Sequence, residues 1–178
     1  MADAFGEAAE LFDREESTAS QTRACRAKFA EHVCMVGSAR GYRAGVASFE
    51  QLAADALRRG ARHRAKVYMA RALLPQLAMA AHGMLGDDDV EAVRTWMAAR
   101  TALLHEAGWA GTAEETLVCA ALQAVEECDA ELLSSAAHTY AANAVLDTWA
   151  VAVLLRAKRG IEDEEWRWNS PVRPEEIC

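Results

Sequence analysis

The sequence predicts an all-α protein, and three observations lead to this prediction. Alanine accounts for 40 of the 178 residues, whereas Ile occurs only twice and Pro three times. Strong helix formers therefore dominate, and residues typical of strands are scarce. No short run alternates apolar and polar side chains between turn signals, as a half-buried strand would. The length suits one domain with a real core, which we place in residues 1–160, followed by a tail over 161–178.

Helices are predicted wherever apolar residues recur at helical spacing between turn or capping signals. In chain order they cover residues 3–16, 21–35, 48–59, 61–82, 87–107, 112–128 and 129–159. The first two are separated by the polar run 17–20, and each presents one narrow apolar stripe. The third begins with the capping-box pair Ser48 and Gln51 and ends before Gly60. The fourth contains Pro75, which removes a backbone donor and predicts a kink or a break.

The last three predicted helices begin at clear signals. The acidic run 87–89 suits the positive N-terminal end of the fifth helix, and Thr112 with Glu115 forms a capping box at the sixth. Asp129 can cap the seventh, whose second half is apolar almost all round, as is typical of a helix inside a bundle. We therefore expect a single-domain antiparallel bundle of six to seven helices with a long central C-terminal helix (about 130–159). The helix starts follow no constant period, which argues against a helical repeat.

The charge of the chain is unevenly distributed. The net charge of −8 argues against general affinity for nucleic acids or anionic membranes. Residues 40–71 nevertheless carry eight Lys and Arg residues against two acidic residues. Four of these basic residues would lie on one face if a helix continued through Gly60: Arg58, Arg59, Arg62 and Lys66. We expect this face to bind another protein, unless the acidic run 126–131 neutralises it within the fold.

Aromatic residues bear on the class of partner. Tyr68 is the single aromatic residue within the basic segment 58–71, whereas single-stranded nucleic acids are bound on several stacking rings. In the charged tail, Trp166 and Trp168 alternate with charged residues. Two exposed tryptophans would anchor a partner protein, and the alternative is that they fold back onto the bundle. The predicted partner is thus another protein or a second copy of this chain, and not a nucleic acid.

A polar stripe follows the seventh predicted helix at i+4 spacing: Glu131, Ser135, Thr139, Asn143 and Asp147. His138 lies on its edge. One interpretation is a polar pocket for a small molecule, formed by His138, Asn143 and Asp147. The other is that the stripe faces solvent and that Asp147 pairs with an arginine.

An arginine and a histidine provide the enzymatic alternative. Arg100 and His105 are separated by four residues, so the segment resembles the Arg-x4-His motif of HEPN ribonucleases. The resemblance implies that the arginine stabilises phosphate charge and that the histidine transfers a proton. It covers six residues and departs from the family at Thr101 and Ala107, where Asn and Tyr are usual.

The remaining signals bear on metals, redox state and location. Five cysteines, with no Cys-x2-Cys or His-x3-His pair, favour reduced thiols and predict neither a metal nor a cofactor. The acidic N-terminus lacks the apolar stretch of a secretion signal, and the most apolar segment, 141–155, is too short to span a bilayer. We therefore expect an intracellular, cytoplasmic and non-enzymatic interaction module: an adaptor, a scaffold subunit or a protein inhibitor.

Overall fold

The computed structural model describes residues 2–85, 89–143 and 148–162, and it describes no side chains for 2–17, 141–143 and 148. Within those ranges the chain forms eight α-helices and no strand, which confirms the all-α prediction. The helices are α1 (Ala2–Met35), α2 (Ala39–Arg58), α3 (Arg62–Ala81), α4 (Asp89–Ala98), α5 (Thr101–Ala107), α6 (Ala113–Glu126), α7 (Ala130–Asn143) and α8 (Thr148–Glu162).

The first two helices differ from the prediction in where they begin and end. α1 runs without interruption through residues 17–20, so the predicted break there is wrong. α2 begins after Ser38, whose hydroxyl accepts a hydrogen bond from the Gly41 amide at 3.0 Å. The predicted start at Ser48 is wrong, because this side chain lies inside α2 and donates to the Ala44 carbonyl at 2.9 Å. A serine can satisfy its hydroxyl on the preceding turn, so capping-box spacing alone does not mark a helix start.

Two glycines allow α1 and α2 to approach closely. A Cβ atom added at Gly41 would overlap the carbonyl oxygen of Val33, and one added at Gly45 would overlap the sulfur of Cys34. Cys34 and Ala30 are both fully buried in this contact. Burial raises the pKa of the Cys34 thiol to about 12, so this thiol is unreactive at neutral pH.

The central helix of the bundle is α3, and the prediction that the C-terminal helix takes this place is wrong. α3 packs against α2, α4, α5, α6 and α8, and almost every residue from Met69 to Ala81 is buried. Its alanines let neighbouring helices approach from several sides. The helix continues through Pro75 without a break, and Pro75 itself is buried.

The C-terminal half contains more helices than predicted. The fifth predicted helix is two helices, α4 and α5, with Arg100 at the N-cap of the second. The seventh is also two helices, α7 and α8, which pack against each other, and residues 144–147 between them lie outside the described ranges. Two of the predicted caps are confirmed: Thr112 accepts from the Glu115 amide at 3.2 Å, and Asp129 accepts from the Leu132 amide at 2.8 Å.

A partly buried polar network ties four helices together. Arg71 of α3 bonds the Glu31 carboxylate of α1 at 2.5 Å and lies 5.5 Å from the ring of Trp149 in α8. The indole N–H of Trp149 donates to the backbone carbonyl of Glu31 at 3.1 Å. Phe49 of α2 packs against the same indole, with ring centroids 5.3 Å apart. The charged pair therefore lies where α1, α2, α3 and α8 meet.

Candidate protein-binding surface

The predicted basic residues lie at the turn between α2 and α3. α2 ends at Arg58, and Arg59 caps it through its backbone amide, which bonds carbonyls of the preceding turn. Gly60 then reverses the chain with a φ of +71°, a conformation that glycine adopts without the steric cost of a side chain. α3 begins at Arg62. The predicted division of two helices at Gly60 is thus present, and the shared face expected on a helix continuing through Gly60 does not form. The basic residues are instead gathered from two helices at one end of a hairpin.

The charges of this turn are only partly compensated. Asp55 forms ion pairs with Arg58 at 3.3 Å and with Arg59 at 3.1 Å, and the Arg58 side chain remains 72% exposed. Arg62 is exposed and Lys66 half-buried, and neither forms an ion pair with another described residue. Arg64 is also exposed at this turn. We define the basic turn as Arg58, Arg59, Arg62, Arg64 and Lys66.

The sequence left open that the acidic run 126–131 neutralises the basic turn. For Glu126 and Glu131 this is wrong, because both form ion pairs with other residues. Glu126 instead bonds Arg94 of α4 at 2.7 Å. Glu131 bonds Lys158 of α8 at 3.4 Å. The sequence missed Asp55 as the counterion, although its i+3 and i+4 spacing to Arg58 and Arg59 is the usual signal for a helical ion pair.

Helix stability does not account for the position of these cations. The first turn of α3 contains no acidic residue, and Arg62 and Arg64 lie at the positive end of its dipole. Cations at that end destabilise a helix by about 0.3–1 kcal/mol each, by the reverse of the usual stabilisation. The positive dipole end and the exposed guanidinium groups add to one positive potential, which favours an anionic partner.

Arg100 and His105 do not form a joint site. The Arg100 guanidinium forms an ion pair with Glu50 of α2 and lies 4.1 Å from the ring of Trp96. It also donates to the backbone carbonyl of Trp96 at 3.2 Å. His105 is exposed on α5, and its side chain forms no hydrogen bond with the described residues. Arg100 therefore holds α2 against the α4–α5 junction, and the geometry does not support the ribonuclease-like pair.

The residues of the polar stripe lie in three different surroundings. Glu131 forms the ion pair with Lys158. His138 is exposed and bonds only the Ser134 carbonyl of its own helix, at 2.7 Å, among the described contacts. Ser135 and Thr139 line a groove of about 360 Å³ between α6 and α7, which is otherwise mainly apolar. The Asn143 side chain and all of Asp147 lie outside the described residues, so the pocket predicted from His138, Asn143 and Asp147 stays a prediction.

The tryptophans of the tail, Trp166 and Trp168, also lie outside the described residues. Trp109, in contrast, is 5% exposed in the turn before α6, and Trp96 is partly buried against Arg100, so both of these rings pack within the fold.

Neither a candidate metal site nor a membrane-spanning helix occurs within the described ranges. There, no group of three or more His, Cys, Asp or Glu side chains could hold a metal ion. Among the helices of the described ranges, none combines the length and apolar character that crossing a bilayer requires.

Comparison with known families places the fold. The profile of the family described as "SNAP: Soluble NSF attachment protein" matches residues 1–162. The chain belongs to this SNAP family. No curated protein and no solved structure gives a significant match.

SNAP family membership defines the class of architecture and activity. The family has a helical-repeat fold and consists of helical adaptor proteins that bind other proteins. It therefore supports a non-enzymatic interaction module, as predicted. The argument against a helical repeat is wrong at the level of the family. That argument failed because the helices differ greatly in length. α1 has 34 residues and α5 has seven, so the sequence shows no constant period.

Proposed function

We propose that this chain is a SNAP-family adaptor that binds an acidic surface of another protein through its basic turn. Arg62 and Arg64 would make the closest contacts, and Arg58, Arg59 and Lys66 would surround them. The observation that carries the proposal is the exposure of these cations without a described acidic partner for Arg62, Arg64 or Lys66. Because the family is named for attachment to NSF, that class of partner is the first to test.

The surroundings of the basic turn support an anionic protein and not a nucleic acid. No acidic residue occurs between positions 56 and 86, so the positive potential extends along the first half of α3. The chain as a whole carries −8, which repels a polyanion as long as RNA at distances beyond the turn. A protein with a local acidic patch meets only the positive end.

The tail residues Trp166 and Trp168 form the second part of the proposal. They would add apolar anchors to a contact that is otherwise electrostatic. If Trp166→Ala and Trp168→Ala lower the stability of the isolated chain and leave every interaction intact, the tail is structural. The same proposal places the adaptor inside the cell, in the cytoplasm.

Affinity capture with charge-reversal variants tests the basic turn. The test variant carries Arg62→Glu and Arg64→Glu. Its matched control carries Arg26→Glu and Arg159→Glu, two exposed arginines elsewhere, and so has the same net charge. Proteins captured from the native host are quantified for wild type, variant and control.

We expect at least one partner to be retained by the control and lost by the test variant. With that partner purified, titration calorimetry should show binding about tenfold weaker or more for the variant, and weaker binding of wild type as salt is raised. If variant and control capture the same proteins with equal affinity, the basic turn is not the binding surface.

A further inference from the structure

The charged residues of this protein are separated between two helical hairpins. From residue 56 to residue 85 the sequence contains six Lys and Arg residues and no acidic residue. From residue 112 to residue 143 it contains six acidic residues and neither Lys nor Arg. The first stretch includes the basic turn. The second is the hairpin α6–α7, and we define its acidic turn as Glu126, Glu127, Asp129 and Glu131.

Contacts with α8 place the two turns at opposite ends of the bundle. His82, directly after α3, bonds the Arg156 carbonyl of α8 at 3.1 Å. Two residues further along α8, Lys158 bonds Glu131 in the first turn of α7 at 3.4 Å. The acidic turn therefore lies near the C-terminal end of α3, whereas the basic turn lies at its N-terminal end. The 20 residues of α3 separate them by about 30 Å.

The acidic turn keeps negative charge after its internal ion pairs are counted. Arg94 and Lys158 compensate Glu126 and Glu131, although the Glu131 side chain is still 88% exposed. Glu127 is exposed and accepts a hydrogen bond from Gln123, which leaves its charge in place. Asp129 is exposed and caps α7.

Uncharged surface lies beside each turn. Leu132, next to Glu131, lines the groove of about 360 Å³ between α6 and α7. At the other end, Leu57 and Ala61 are half-buried within the basic turn. A stable contact needs a less polar centre with charges around it, and both ends provide one.

We propose that the acidic turn of one copy docks on the basic turn of a second copy, so that molecules associate head to tail. The two surfaces are complementary in charge, and each molecule carries one of each at opposite ends. Such a contact is heterologous, so it leaves both outer turns free and adds further copies instead of stopping at a dimer. The inference rests on the same basic turn as the proposed function, and self-association would cover that turn until an acidic partner displaces the second copy.

Sedimentation velocity at low and high salt tests the association. We expect wild type to sediment as species larger than a dimer at about 0.02 M salt and as a monomer at about 0.5 M, where charges are screened within a few ångströms. Glu127→Lys with Glu131→Lys should remain monomeric at low salt, and so should Arg62→Glu with Arg64→Glu. An equimolar mixture of these two variants should associate again, because each reversed turn then meets its complement.

A control on α1 has the same charge change at another place. Glu7→Lys with Glu10→Lys alters a second acidic stretch of the sequence and should associate like wild type. A monomeric wild type at low salt would overturn the inference, as would a mixture that stays monomeric or a loss of association in the α1 control alone. The proposed function fails separately, since Glu127→Lys with Glu131→Lys leaves the basic turn intact and must still bind the acidic partner.

Discussion

Replacing Arg71 by Met should destabilise the bundle, because it leaves the Glu31 carboxylate without its main partner. Met keeps most of the aliphatic volume, so the change removes charge and hydrogen bonding more than packing. Arg71 bonds Glu31 at 2.5 Å, and the two side chains are only 19% and 12% exposed. The variant therefore tests whether this pair holds α1 and α3 together.

The magnitude follows from the burial of the pair. Removing one partner of a fully buried pair costs about 3–5 kcal/mol. Here the Glu31 carboxylate is partly hydrated and has the Lys28 ammonium at 2.7 Å, so it keeps some compensation when Arg71 is lost. The cost of losing the ion pair is therefore about 2 kcal/mol. Loss of the contact between Arg71 and the Trp149 ring, 5.5 Å away, adds about 0.5 kcal/mol. The expected loss in the free energy of unfolding is therefore about 2.5 kcal/mol.

Urea unfolding followed by far-ultraviolet circular dichroism measures this loss. Adding Glu31→Gln to Arg71→Met removes the uncompensated charge, so the double variant should recover more than half of the lost free energy. A loss below about 0.5 kcal/mol in the single variant would refute the reasoning, because the pair would then behave like an exposed one. Strict additivity of the two substitutions would refute it as well.

Four further predictions concern packing, thiol reactivity, pH and the enzymatic alternative. Gly41→Ala should lower the free energy of unfolding by about 2 kcal/mol or more in urea titrations, because the new methyl group overlaps the Val33 carbonyl. Native Cys34 should resist iodoacetamide at pH 8 while exposed Cys25 reacts, as peptide mass spectrometry would show. Burial raises the pKa of Cys34 from its ordinary value of 9.0 to about 12, so between these values the native state keeps a proton that the unfolded state has lost. The free energy of unfolding should therefore fall by about 1.4 kcal/mol per pH unit above pH 9, relative to Cys34→Ala. Arg100→Ala should cost about 1–2 kcal/mol in thermal unfolding, whereas His105→Ala should change neither stability nor any RNA cleavage by the purified chain.

Composition and capping signals were enough to predict the helical class, and Thr112 and Asp129 marked their helix starts correctly. The boundaries that failed have physical causes. Ser48 had the spacing of a cap but satisfies its hydroxyl within α2, while Ser38 is the residue that caps this helix. The apolar segment 144–155 suggested a central helix, whereas alanine-rich α3 takes that place, because small side chains allow close neighbours without giving a long apolar run.

The candidate site could be predicted only as a set of residue types. Sequence spacing identified Arg58, Arg59, Arg62 and Lys66, but their arrangement depends on the chain reversal at Gly60. Asp55, the counterion of Arg58 and Arg59, has the local i+3 and i+4 spacing of a helical ion pair and could have been predicted. That the acidic run 126–131 pairs elsewhere is a long-range property that no local pattern contains. The separation of the two charged hairpins by the length of α3 became visible only through the contacts of α8.

Site-specific photocrosslinking tests the binding of a partner at the basic turn most directly. A photoreactive residue at position 62 is compared with the same residue at position 26, which is also exposed but lies on α1. We predict that position 62 crosslinks a heterologous protein in the native host, that the crosslinked peptide of that protein is acidic, and that position 26 does not crosslink it. Equal crosslinking of that protein at both positions, or crosslinking at position 26 alone, would contradict the assignment of the basic turn as the binding surface.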